Sequence, residues 1–129
     1  MKKLALTALL VVVAAPAMAD EKVFNKCKAC HSVIAADGTE VVKGGKTGPN
    51  LFGVIGRPVA SVADYDYGDS IKAVGASGKV WDEASLVTYI ADPSAWLAAN
   101  GAGEGAKSKM TFKLAKDGEE IAAWLATQK

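Results

Sequence analysis

The chain has 129 residues, with 15 lysines and arginines against 14 aspartates and glutamates and a single histidine, for a formal charge of +1. So even a balance excludes a protein that grips nucleic acid through a basic face, and the length admits one compact domain rather than two. Two cysteines three positions apart exclude a disulfide framework, because a bridge between them would close a loop too small to constrain the unfolded chain.

At the amino terminus, Lys2 and Lys3 precede an apolar run from Leu4 to Ala15 that closes on the small residues of Ala17-Met18-Ala19. This is the pattern of a secretion signal cleaved after Ala19, and the run falls short of the roughly 20 apolar residues that span a bilayer. An uncleaved anchor is the alternative; it ordinarily needs a polar linker, whereas helix-like sequence starts here at Glu21. Removing residues 1–19 leaves 110 residues in which 13 basic side chains face 14 acids, a charge of −1. The expected product is a water-soluble periplasmic domain of residues 20–129.

Glu21 to Cys27 predicts a short helix with Val23, Phe24 and Cys27 on one side, too short to stand without a packing partner. From Ser32 to Pro58 turn residues dominate, among them Asp37-Gly38, Gly44-Gly45 and Gly48-Pro49-Asn50, which predicts ordered loop with a brief extended piece at Val41-Val42. Tyr65 to Val74 is a helical candidate in which Tyr67, Ile71 and Val74 recur at spacings of four and three. Asp82-Glu83-Ala84-Ser85 opens a clearer helix, with Leu86, Tyr89 and Ile90 on one face and an end near Pro93. Trp96 and Leu97 lie just beyond it. Three glycines between Asn100 and Lys107 predict a flexible surface loop, and a last helix runs from about Lys116 to Thr127 with Ile121, Trp124 and Leu125 as its apolar stripe. So small a set of apolar faces calls for a staple, and a large apolar cofactor serves as one.

Cys27-Lys28-Ala29-Cys30-His31 is a C-x-x-C-H run, the pattern of c-type haem attachment. On one helical turn the two thiols reach the two vinyl groups of a haem while the adjacent histidine lies under the iron. A thioredoxin-like redox pair would sit in a strand-and-helix context that the flanks do not offer. A zinc site needs three or four protein ligands, and residues 20–129 hold no second histidine and no further cysteine. For the sixth position of the iron, Met110 is the one remaining soft or imidazole ligand, since Met1 and Met18 leave with the signal. Lone methionines are more often core packing, but Ser108, Lys109 and Thr111 make a polar setting unsuited to a core residue, and a thioether ligand raises the potential of the iron.

Six stretches then carry a resemblance to the bacterial class I cytochromes c of the cytochrome c2 and cytochrome c-550 type. They are FNKCKACH (24–31), GGKTGPNLFGVIGR (44–57), YDYG (65–68), VW (80–81), the Leu86, Tyr89 and Pro93 pattern, and SKMTF (108–112). The resemblance implies an all-α class I cytochrome c fold, short helices and long loops wrapped around one haem c attached through Cys27 and Cys30. It implies that the Pro49 carbonyl accepts a hydrogen bond from His31, and that Arg57, Tyr67 and Trp81 surround the haem propionates. Tyr89 would pack near Met110, Phe112 would shield the exposed haem edge, and Phe24 would pair with Trp124 and Leu125 where the terminal helices cross. The glycine usual four residues before that phenylalanine is Asp20 here, which predicts a shorter helix and a looser crossing.

With His31 and Met110 filling both axial positions, the expected activity is outer-sphere electron transfer by a carrier, not an enzyme. The implied partners are a quinol-oxidising cytochrome bc complex as donor and a photosynthetic reaction centre or terminal (cytochrome c) oxidase as acceptor, met by a monomer. Lys26, Lys28, Lys43 and Lys46 cluster around the attachment run and Lys107, Lys109, Lys113 and Lys116 around Met110, while acids dominate from Asp64 to Asp92. Runs of charge are usually solvated faces. Beside a haem edge, Lys26, Lys28, Lys46, Lys109, Lys113 and Phe112 are expected to form a basic face that docks on acidic partners.

Overall fold

The computed structural model describes residues 20–129; the expected secretion signal, 1–19, lies outside the described residues. The Asp20 carboxylate accepts the Lys22 N–H at 3.3 Å and caps a 3₁₀ turn, Glu21–Lys26. The element is short, as the sequence predicts, but the crossing it makes is not loose. Phe24 is fully buried and its ring centroid lies 5.2 Å from that of Trp124, and Lys26 Nζ reaches Asp117 at 2.8 Å. Burying a phenylalanine contributes about 1.5–3 kcal/mol, enough for one anchored side chain to hold a turn that has no helical stability of its own.

The loop-rich stretch after His31 contains one small sheet. Strand β1, Val33–Ile34, pairs antiparallel with β2, Glu40–Val42, with Val33 opposite Val42 and an irregularity between Val33 and Ile34. Val41-Val42 is extended as predicted; its partner carries no alternation long enough to announce a strand. The Asn50 side chain then bridges this sheet to the following loop, accepting from the Ile34 and Phe52 amides and donating to the Ile34 carbonyl.

Helix α1 spans Asp69–Ala76, later than the predicted Tyr65–Val74. Gly68 is its cap, with extended backbone (φ −70°, ψ 162°), and the two tyrosines ahead of it are committed to loop contacts. Tyr65 donates to the Thr47 carbonyl at 2.9 Å, and the Tyr67 hydroxyl accepts the Val62 N–H at 3.1 Å. Helix α2, Glu83–Ala91, is capped by Asp82, whose carboxylate accepts the Ser85 N–H at 2.7 Å. Trp96 and Leu97 do not merely trail it. Pro93–Leu97 forms helix α3, capped by Asp92 through the Ala95 N–H, with proline at the first helical position where its missing N–H costs nothing.

The predicted loop from Asn100 is only partly loop. A single wide turn, Ala98–Ala102, prolongs α3 and breaks at Asn100 and Gly101, where Asn100 Nδ2 donates to the Trp96 carbonyl at 2.8 Å. Helix α4, Gly118–Ala126, follows a left-handed Asp117 (φ 67°) and buries Ile121, Trp124 and Leu125 as its stripe predicts. It packs on α2 and on the Glu21–Lys26 turn, and the buried core extends from there through Val54, Val59 and Val74 to Trp81 and Trp96. Among the described residues no helix is long and apolar enough to cross a membrane.

Candidate functional site

Cys27 follows the last turn of Glu21–Lys26, and the backbone continues round a turn in which the His31 N–H reaches the Cys27 carbonyl at 3.0 Å. That turn brings both thiols and the imidazole to one wall of a cavity of about 530 Å³, within the roughly 300–1,000 Å³ of small-molecule and cofactor sites. Met110 lines the same cavity, carried there by the strap between Ala106 and Leu114. Pro49, Arg57, Tyr67 and Trp81 line it too. The sequence thus names eight residues for the site, and all eight converge on one space.

His31 Nδ1 donates to the Pro49 carbonyl at 2.8 Å. A neutral imidazole that donates from Nδ1 keeps its lone pair on Nε2, the state a metal ligand requires. Burial holds the His31 pKa below its ordinary value, the Pro49 bond acts in the opposite sense, and the Arg57 charge adds to the depression. The loop reaches this close because it lacks side chains at three points, the first being Gly44, where a Cβ would fall on the His31 carbonyl. A Cβ at Gly48 would fall on the His31 ring, and one at Gly45 on the Ala29 carbonyl. Ser32, buried, ties the same loop by donating to the Gly45 carbonyl at 3.1 Å.

Burial pushes the Cys27 thiol up to about 11, with Cys30 raising it further and Lys26 opposing, so at neutral pH it is a thiol and not a thiolate. Both cysteines are free, and Cys30 is exposed. Among the described residues no three His, Cys, Asp or Glu side chains cluster as a metal site would need. The donor set suits instead a cofactor that brings its own metal and asks the protein for one nitrogen, one thioether and two thiols. The cavity walls fit such a group, since Leu51, Val54, Ile71, Leu86, Leu97 and Leu125 face it.

Arg57 Nη1 donates to the carbonyls of Asn50 at 3.0 Å and Phe52 at 3.3 Å. Burial lowers its pKa, with Tyr67 opposing. Nη2 and Nε remain as donors for an anionic group in the cavity. The Tyr67 hydroxyl accepts from Val62 and keeps its own proton to give. Trp81 stacks on Trp96 at 4.9 Å and meets Tyr89 edge-on at 5.0 Å. Tyr89 lines the cavity, and its hydroxyl lies 3.5 Å from Ser108 Oγ.

Sequence reasoning missed Asn50, Ser32 and Trp96 as supports of this site. Asn50 stood inside a turn-rich stretch where asparagine is ordinary, and nothing local marks Ser32. Trp96 was within reach: Asp92-Pro93 is a helix-start signature as much as a stop, and a second short helix would have carried Trp96 back to the core.

Around the mouth, Phe112 is 46% exposed and lines the cavity together with Lys109. Lys28, Lys46 and Lys113 are exposed. The separation of basic and acidic stretches along the sequence is not kept in space. Lys109 pairs with Asp66 at 3.4 Å and Lys113 with Asp92 at 3.0 Å, so acids of the middle segment sit against lysines of the Met110 segment. Lys26 faces Asp117 at the terminal crossing. All these side chains are substantially exposed, so water screens the pairs and they add little to stability.

No protein-family model matches the chain. It is 53% identical to the cytochrome c2 of Rhodobacter capsulatus over 133 aligned positions, which cover 97% of each chain. It is 54% identical to the cytochrome c-550 of Paracoccus pantotrophus over 108 positions, covering 82% of this chain and 81% of the relative. The solved structure of the Rhodobacter capsulatus cytochrome c2 superposes with a TM-score of 0.81 at 56% identity, covering 83% of this chain and 92% of that one. Ferric cytochrome c-550 from Paracoccus versutus gives 0.80 at 54% identity, covering 84% and 92%.

Proposed function

The chain belongs to the class I cytochromes c, of the cytochrome c2 and c-550 type, and on that premise we propose that it carries single electrons on one haem c held by Cys27, Cys30, His31 and Met110. The observation that carries the reading is the convergence of the C-x-x-C-H run and of Met110, from the far end of the chain, on one apolar cavity. Bound there, the haem supplies a reversible one-electron couple. Cys27 and Cys30 hold it through thioethers. Pro49 fixes the His31 tautomer so that Nε2 keeps the lone pair that would hold the iron, and Met110 would offer a soft sulfur that favours the reduced state and raises the potential. Arg57, Tyr67 and Trp81 line the cavity and would meet the carboxylates of the cofactor, which would be costly to bury without donors. The apolar walls exclude water.

With His31 and Met110 both holding the iron, no position on it would be left for oxygen or peroxide, and the protein would serve as a carrier rather than an enzyme. Secretion by the signal at 1–19 would place the domain 20–129 in the periplasm as a soluble monomer. There it takes electrons from a quinol-oxidising cytochrome bc complex and delivers them to a photosynthetic reaction centre or a terminal oxidase. Docking falls to the face around Phe112 and Lys109, with the exposed Lys26, Lys28, Lys46 and Lys113 contributing positive charge, since opposite charge steers encounter. The test is a pyridine haemochrome spectrum of the periplasmic protein followed by acid-acetone extraction. A c-type spectrum whose chromophore stays with the polypeptide is the expected result; haem released into the acetone overturns the thioether assignment.

A further inference from the structure

The strap that carries Met110 is fastened in an unusual way. Between Ala106, whose N–H reaches the Gly103 carbonyl, and Leu114, whose N–H reaches the Ile90 carbonyl, no backbone–backbone hydrogen bond is made by any residue among those described. Serine hydroxyls take that part. The Lys107 N–H donates to Ser70 Oγ on α1 at 3.0 Å, and the Ser108 N–H donates to Ser94 Oγ on α3 at 3.0 Å. Ser108 Oγ in turn accepts the Met110 N–H at 3.1 Å. Ser70 and Ser94 occupy equivalent places, each the second residue of its helix, so two rigid elements present one acceptor apiece to successive amides of the strap.

We propose that Ser70 and Ser94 are positioning residues for Met110: their hydroxyls, rather than any backbone ladder, determine how readily the strap lifts and how firmly the sixth position of the iron is kept from other ligands. The inference rests on the reading of Met110 as that ligand. Each bond opposes lifting in the folded protein, and each is lost when the strap moves, so the occupancy of the lifted state follows the two hydroxyls directly. A ligand that binds only when Met110 has left is penalised by the fraction of strap that is closed.

The experiment measures imidazole binding to the ferric holoprotein, with amide hydrogen exchange at Lys107 and Ser108 followed in parallel. Ser94→Ala and Ser70→Ala should each raise imidazole affinity about fivefold, the equivalent of about 1 kcal/mol for one hydrogen bond. The double variant should approach the product of the two. Ser94→Thr and Ser70→Thr keep the hydroxyl and should stay within about twofold of the parent protein. Asp82→Ala removes the cap at the start of α2, a carboxylate bonded to Ser85 and not to the strap, and should lower global stability while leaving imidazole affinity unchanged. Unchanged affinity in both alanine variants, equal rises in the threonine variants, or an equal rise in Asp82→Ala overturns the proposal. Met110→Ala separates the two readings: if imidazole binds it no better than the parent protein, Met110 is not the ligand. In that event the exchange rates still decide, since hydroxyls that hold the strap must protect the Lys107 and Ser108 amides and their loss must release them.

Discussion

Pro49 and Asn50 are neighbours that do different work for His31. The first accepts a hydrogen bond from Nδ1, and the second ties the loop carrying it to β1 through both the N–H and the carbonyl of Ile34. Asn50→Ala should therefore lower stability by about 1–3 kcal/mol, because it strands partly buried backbone groups, and urea unfolding of the holoprotein measures it; an unchanged midpoint would mean that water replaces the side chain. His31→Ala should abolish maturation or leave an unstable product with altered spectra. Met110→Ala should keep the haem, lower the reduction potential and admit carbon monoxide to the reduced protein. An unaltered potential there would show that another group occupies the position. At this scale the sequence was informative wherever chemistry restricts the residue type, as at Cys27, Cys30 and His31. It was silent where position alone matters, as at Ser32 and Asn50, whose roles exist only after distant backbone has come near.

Elements were legible in proportion to their local signals. Ile121, Trp124 and Leu125 announce α4, and Asp82 with Ser85 announces α2, because periodicity and caps are both written within a few residues. Helix α1 begins late because Tyr65 and Tyr67 are claimed by Thr47 and Val62, contacts that no helical spacing reveals. Helix α3 was hidden by reading Pro93 as an end. Its cap now makes a prediction of its own. The Ala95 amide and Lys113 hold the Asp92 carboxyl below the usual carboxylate range, the amide contributing first. A depressed carboxylate stabilises the fold above its unfolded value of about 3.9 and loses that effect as pH falls through the lower folded value. Asp92→Ala should thus lower the melting temperature at pH 7, and the difference should narrow as pH falls below about 4; a gap that is constant with pH would mean that the charge plays no part.

For the molecule as a whole, the Lys109–Asp66 and Lys113–Asp92 pairs leave steering to the balance of exposed groups rather than to separate basic and acidic ends. Lys109→Glu and Lys113→Glu should slow association with an acidic partner more than they change the haem potential, and the rate should fall with salt, which screens over about 8 Å at physiological ionic strength. Lys72, paired with Asp69 on α1, is the control, since Lys72→Glu changes net charge equally; equal slowing in stopped-flow measurements would leave net charge as the whole effect. The loop tip at Gly103 to Gly105 has a different consequence. Gly103, Glu104 and Gly105 are exposed, and tips of this kind are where proteases nick. A cut there divides the chain into a piece bearing Cys27, Cys30 and His31 and a shorter one bearing Met110 and α4. The short piece is still clasped through Phe24 and Trp124 and through the α2 contacts of α4. A severed chain of this design should stay assembled and keep its colour, and stripping away the short fragment would turn a closed haem into an open one.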